Sequence, residues 1–131
     1  MAPDLLEAAL AARGRAHAPY SKFLVGAAMR DEHGRIHGGC NIENAAYPQG
    51  WCAECSAIAA LVMAGGTRIV EVAVIGTGEA LCTPCGGCRQ KIREFASGDV
   101  AIHCHGESGG WIKSFTLQEL LPFSFGPENL V

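Results

Sequence analysis

Two short stretches of this chain carry most of the side chains able to do chemistry. WCAECSA (residues 51–57) sets Cys52, Glu54 and Cys55 close together, and LCTPCGGCRQ (residues 81–90) adds Cys82, Cys85 and Cys88. Clustered thiols of this kind are metal ligands, for zinc above all, or reactive nucleophiles. The chain holds seven cysteines, an odd number, and its first residues carry Asp4 and Glu7 where a leader sequence would be basic. A disulfide framework is therefore not expected, and a reducing, cytoplasmic setting is.

The spacing leaves two ligand sets open. Cys52, Cys55, Cys85 and Cys88 form a CxxC…CxxC pattern whose four sulfurs would close a purely structural site. Cys52 with Cys85 and Cys88 would leave a fourth position for water, as catalytic zinc requires. Cys82 is a further competitor within CTPC, but it precedes the helix start. Glu54 weighs toward the open arrangement. A structural site has no use for a carboxylate between its cysteines, whereas hydrolysis needs a base that takes a proton from water and returns it to the substrate.

Both clusters must be positioned by helices. The pattern from Cys52 reads as a helix through residue 64, closed by Gly65-Gly66 with a glycine for the left-handed cap. Pro84 precedes a second helix over about residues 85–96. A helix start offers free N–H groups and a favourable dipole, so two of them aimed at one point would stabilise thiolates. Around these, residues 4–17 fit a first helix, 23–30 and 35–42 a hairpin turning at DEHG, and 69–76 a central apolar strand. VAIHC and WIKSF are further strand candidates, and Thr116 with Glu119 forms a capping box ahead of LQELL. The order α-β-β-α-β-α-β-β-α implies one mixed sheet with helices packed on it, in a single domain over residues 1–131.

Composition narrows the partners. Net charge is −3, and the lysines and arginines are scattered apart from CRQKIR. A nucleic-acid polymer is therefore not the expected partner. The longest apolar run, AIAALVMA, is too short for a bilayer. Charged residues make up 18% against about 25% in typical soluble domains, which points to surface buried by self-association.

GCNIENAAYPQGWCAE followed by PCGGCRQ resembles the small homotetrameric cytidine deaminases of the zinc-deaminase superfamily. APYSKFLVGAA near the start and LQELLPFSFGPENL near the end extend the likeness over nearly the whole chain. The resemblance implies a three-layer α/β/α sandwich with a mixed sheet of about five strands. It implies one zinc ion on Cys52, Cys85 and Cys88, and Glu54 as proton shuttle in the hydrolysis of cytidine and 2′-deoxycytidine. The N–H of Ala53 would bond the pyrimidine carbonyl, Asn41 and Glu43 the ribose hydroxyls, and Phe23 would pack on the base. In a homotetramer, Tyr47 and Phe125 would complete a neighbour's site. A deaminase for another nucleoside, or a non-catalytic zinc module with four cysteine ligands, is the competing reading.

One position departs from the pattern. Many relatives with three cysteine ligands carry Arg where this chain has Cys55, and that Arg offsets thiolate charge. The expected substitutes are the two helix starts and Arg89, next to Cys88. Cys40 reads as a small buried filler and Trp51 as packing or pocket wall. His103 and His105 fall on one strand face, where solvent exposure is expected.

Overall fold

The structure, a computed structural model, describes residues 3–130. Its elements follow the expected order: α1 (Pro3–Arg13), β1 (Gly26–Asp31), β2 (Ile36–Cys40), α2 (Ala53–Met63), β3 (Ile69–Ile75), α3 (Gly86–Phe95), β4 (Ala101–His105), β5 (Trp111–Thr116) and α4 (Leu117–Leu120). Short 3-10 turns at Tyr47–Gln49 and Pro127–Leu130 complete it. The five strands form one sheet in the order β2-β1-β3-β4-β5. β3 and β4 are parallel, joined over α3, and the other neighbours are antiparallel. A parallel pair needs such a crossover, which explains why α3 lies between them in sequence.

Two separate cores identify three layers. On one face Leu5 and Ala9 of α1 pack on Ala28, Ala73 and Ile75. On the other, Ala53, Ala57, Ile58 and Leu61 of α2 and Ile92 of α3 pack on Ala27, Met29, Val72, Val74, Ile102 and Cys104. β3 is central and covered on both faces, so its run IVEVAVI is apolar almost throughout.

One close approach matters for the site. A Cβ on Gly39 of β2 would come within 2.3 Å of the Ala57 nitrogen and 2.5 Å of the Ala53 carbonyl. Bare backbone at Gly39 lets the first turn of α2, with its cysteine and glutamate, lie against the sheet. At the other end of α2, Gly65 takes φ +90° and the Gly66 N–H bonds the Leu61 carbonyl at 2.9 Å, the expected glycine cap. The Thr116–Glu119 capping box is also present.

Three expectations are corrected. The first helix stops at Arg13, not near residue 17, because the chain after Gly14 turns away so that His17 pairs with Ile42. The first strand begins at Gly26, since the backbone of Phe23 and Val25 is bonded by the Asn41 side chain instead of a strand neighbour. His103 and His105 are not solvent-facing; they are 8% and 1% exposed. His103 lies between Ser114 (2.5 Å) and Glu71 (2.7 Å), and His105 Nδ1 bonds the Gly109 carbonyl of the following turn. Neighbouring polar side chains and that turn cover the face that alternation alone assigns to water.

Candidate active site

Cys52 and Cys85 are the N-cap residues of α2 and α3. Each has extended backbone, so its side chain projects from the helix mouth while its carbonyl accepts the first helical bond, from Ser56 at 3.1 Å and Arg89 at 3.0 Å. Cys88 follows in the first turn of α3 and is fully buried. The sulfurs of Cys52 and Cys85 are 3.7 Å apart, and all three sulfurs lie within 4.8 Å of one another. Thiolates at about 2.3 Å on a tetrahedral zinc stand about 3.8 Å apart, so the donor set fits one zinc ion. Cys55 lies one turn further along α2, is 8% exposed and stands outside this group.

Burial raises the Cys52 thiol, and burial with the nearby Glu54 charge raises Cys88. Cys85 is the exception: burial opposes ionisation, but the Cys88 N–H and the two neighbouring thiols outweigh it and lower its pKa. Coordinated thiols are deprotonated outright, so this ordering belongs to the metal-free cluster.

Beside the sulfurs is a cavity of about 680 Å³ lined by Cys52, Ala53, Glu54, Cys82, Thr83 and Cys85 on the helix side. Tyr20, Ser21, Val25, Asn41, Ile42, Glu43, Asn44, Tyr47, Gly50 and Trp51 line the remainder. Glu54 is 4% exposed, and burial holds its carboxyl above the ordinary carboxylate value, only partly offset by its own N–H. A buried carboxyl facing a cavity beside a metal cluster is suited to carry a proton.

Asn41 and Glu43 reach the cavity but also hold its wall. The Asn41 side chain accepts the Val25 N–H at 2.9 Å and donates to the Phe23 carbonyl at 2.8 Å. Glu43 accepts the N–H groups of Tyr20 (2.9 Å) and Ser21 (3.2 Å) and the Ser21 hydroxyl. The Ser21 hydroxyl is the main reason its pKa is lowered. Each keeps spare capacity: one N–H and one lone pair on the Asn41 amide, and one lone pair on Glu43.

The sequence-derived site is thus largely brought together. Cys52, Cys85, Glu54, Ala53, Asn41 and Glu43 line one cavity, with Cys88 beneath; Tyr47, expected to complete a neighbour's site, lines this chain's own cavity. Phe23, expected to pack on the base, does not line it, and Phe125, expected in a neighbour's cavity, lies outside this one. The Phe23 ring tip lies over Gly76 beside Cys82, and Phe125 is 56% exposed, its carbonyl accepting from Gln90. Trp51 is cavity wall. Sequence reasoning missed Tyr20, Ser21 and Thr83 as lining residues. The only signal for the first two is APYS itself, whose hydroxyl and turn become meaningful once Glu43 is opposite. Arg89 does not bond sulfur: its donors go to the Pro84 carbonyl (2.7 Å), the Leu120 carbonyl (2.8 Å) and the Thr83 hydroxyl (2.9 Å).

Comparison with known proteins matches residues 2–104 to the cytidine and deoxycytidylate deaminase zinc-binding region. The chain is 43% identical over 119 residues to the cytidine deaminase of Sporosarcina psychrophila, covering 91% of this chain and 87% of the relative. It is 37% identical to that of Halalkalibacterium halodurans, covering 96% and 95%. Among solved structures, the Burkholderia pseudomallei cytidine deaminase superposes with a TM-score of 0.88 at 37% identity, covering 95% of this chain and all of that one. The Mycobacterium tuberculosis cytidine deaminase gives 0.80 at 35% identity, over 94% and 95%. A family model over residues 2–104 and relatives at 37–43% identity over most of the chain show that this chain belongs to the cytidine and deoxycytidylate deaminase family.

Proposed function

We propose that this protein hydrolyses cytidine and 2′-deoxycytidine to uridine and 2′-deoxyuridine with release of ammonia. The observation that carries the reading is Glu54: a buried carboxyl, its pKa raised, beside a three-sulfur cluster at one end of a nucleoside-sized cavity. Cys52, Cys85 and Cys88 would hold a zinc ion, which when bound would supply the Lewis acidity that makes water nucleophilic at neutral pH. Glu54 takes the proton of the water whose oxygen bonds C4, and delivers it to N3. Glu54 then takes the remaining proton from the new C4 hydroxyl and passes it to the amino group; the C4–N4 bond breaks, ammonia leaves, C4 becomes a carbonyl, and the carboxylate is restored.

The remaining residues bind and orient. Ala53 is the first residue of α2, so its N–H has no helical partner and is free for the pyrimidine O2. Asn41 and Glu43 use their spare hydrogen-bonding capacity on the sugar hydroxyls. The exposure of Tyr47 (77%, edge-on to Tyr20) and of Phe125 supports self-association; a homotetramer in which they complete a neighbouring cavity is what the family resemblance implies. Net charge −3 and the lack of a membrane-length helix among the described residues fit a cytoplasmic enzyme acting on free nucleosides.

The test is turnover of cytidine, followed by the fall in cytosine absorbance, in the unmodified protein and in Glu54→Gln. The variant should lose about 100- to 10,000-fold in kcat while keeping its zinc. Wild-type turnover in the variant would remove Glu54 from the mechanism.

A further inference from the structure

Cys52 and Cys85 are committed to the metal cluster, but a third cavity thiol, Cys82, lies outside it. The end of β3 determines where Cys82 sits. A Cβ built on Gly76 would lie 3.0 Å from both Cβ and Sγ of Cys82 and 3.3 Å from the Phe23 ring tip. Bare backbone at Gly76 therefore lets Cys82 and the Phe23 ring settle side by side on the strand end. Cys82 is backed by that backbone, and it lines the cavity. Phe23 itself is not in the lining, so the thiol forms the wall at this point.

The polar positions of a bound pyrimidine are already matched in the reading proposed above, on which this step rests. O2 goes to the Ala53 N–H, and N3 and C4 go to Glu54 and the cluster. N1 leads to the sugar at Asn41 and Glu43. The C5–C6 edge is left, and it offers only C–H groups. A small, weakly polar thiol with no hydrogen bond to offer or require suits such an edge. Glu54, buried and aimed into the same cavity, fixes the base's opposite side.

We propose that Cys82 is the specificity residue for the pyrimidine C5–C6 edge and sets how large a C5 substituent the enzyme accepts. Growth at this position has no room toward Gly76, whose backbone already lies against the thiol, so added bulk enters the cavity. Removal of the sulfur opens space of about one methyl group.

The experiment compares kcat/KM for cytidine and 5-methylcytidine in the zinc-loaded wild type, Cys82→Ala, Cys82→Ser and Cys82→Leu. One methyl group in an apolar pocket changes discrimination roughly tenfold or more. The 5-methylcytidine to cytidine ratio should rise about tenfold in Cys82→Ala, fall by a similar factor in Cys82→Leu, and stay near wild type in the nearly isosteric Cys82→Ser. Calorimetric binding of 5-methyluridine and uridine gives the same comparison without turnover. Thermal midpoint and zinc content identify any variant that does not fold, in which case the other two decide. A flat ratio across folded, zinc-loaded variants overturns the proposal, as does a change confined to nucleosides altered on the sugar. Absence of cytidine turnover in the zinc-loaded wild type would instead overturn the deaminase reading.

Discussion

Replacing Arg89 by lysine separates two accounts of that residue. From the sequence, its charge is the nearest substitute for the arginine missing at Cys55. In the structure its guanidinium fork is a clamp, holding the Thr83–Pro84 approach to Cys85 and the end of α4 at Leu120. Lysine keeps the charge but is a point donor, unable to span three separate acceptors. It would lose two of the three bonds. Taking the low end of the about 1.5–3 kcal/mol that each hydrogen bond from a charged group contributes, Arg89→Lys should cost about 3 kcal/mol and Arg89→Ala about 4–5 kcal/mol. For a chain of this size, 3 kcal/mol corresponds to a fall in Tm of roughly 10 °C. Cys85 stands at the end of the clamped loop, so zinc affinity should weaken in parallel, about tenfold in both variants. Scanning calorimetry of the metal-free protein and zinc competition against a chromophoric chelator measure the two effects. The charge account predicts that only Arg89→Ala loses zinc affinity. A lysine variant within 2 °C of wild type, with unchanged zinc binding, would refute the clamp.

The remaining expectations concern acid stability and the ligand set. Glu32 accepts the Thr67 hydroxyl and the N–H groups of Thr67 and Arg68, which pulls its pKa from 4.5 down to about 2, the hydroxyl contributing most. A depressed folded-state pKa gives stability that is complete above the unfolded value and disappears as pH falls through the folded one. Glu32→Gln should therefore melt below wild type at pH 7, with the difference closing between pH 4.5 and about 2; a constant difference across that window would contradict the assignment. Cys55→Ser should retain one zinc per chain by native mass spectrometry, because Cys55 stands outside the sulfur cluster. Loss of the ion would make Cys55 a fourth ligand and the site a structural one.

Local signals in the sequence carried much of the fold. The Gly65-Gly66 cap, the Thr116–Glu119 box and the mostly apolar run of β3 each depend on neighbouring residues, and each is realised. The metal cluster was legible for a similar reason, since Cys52 and Cys85 are helix caps and Cys88 lies one turn from Cys85. What escaped depends on contacts distant in sequence. The burial of His103 requires Glu71 and Ser114 from the adjoining strands. The start of β1 is set by an asparagine sixteen positions beyond Val25. Cys82 read as a competing ligand because CTPC resembles a ligand pair, and only the contact of Gly76 with Cys82 and Phe23 turns it to the cavity wall.

The cavity wall formed by residues 20–25 is held by polar side chains where regular strand pairing is missing. Glu43 fixes Tyr20 and Ser21, Asn41 fixes Phe23 and Val25, and the Thr77 hydroxyl both accepts the Leu24 N–H (2.8 Å) and donates to its carbonyl (2.9 Å). Arg13 in turn braces Thr77 from the end of α1 at 3.1 Å. Backbone groups in a segment without a ladder must be satisfied by side chains or water, and here side chains do it. In the proposed binding mode the same Asn41 and Glu43 would offer only their leftover capacity to a sugar, so binding and wall geometry would be coupled through single residues. Removing Glu43 would release the wall as well as a sugar contact, and the loss in affinity would exceed that of one hydrogen bond. Ser21→Ala removes the hydroxyl that bonds Glu43 and accepts the Phe23 N–H while leaving the Glu43 carboxylate in place, and so reports the share of that loss that comes from wall geometry.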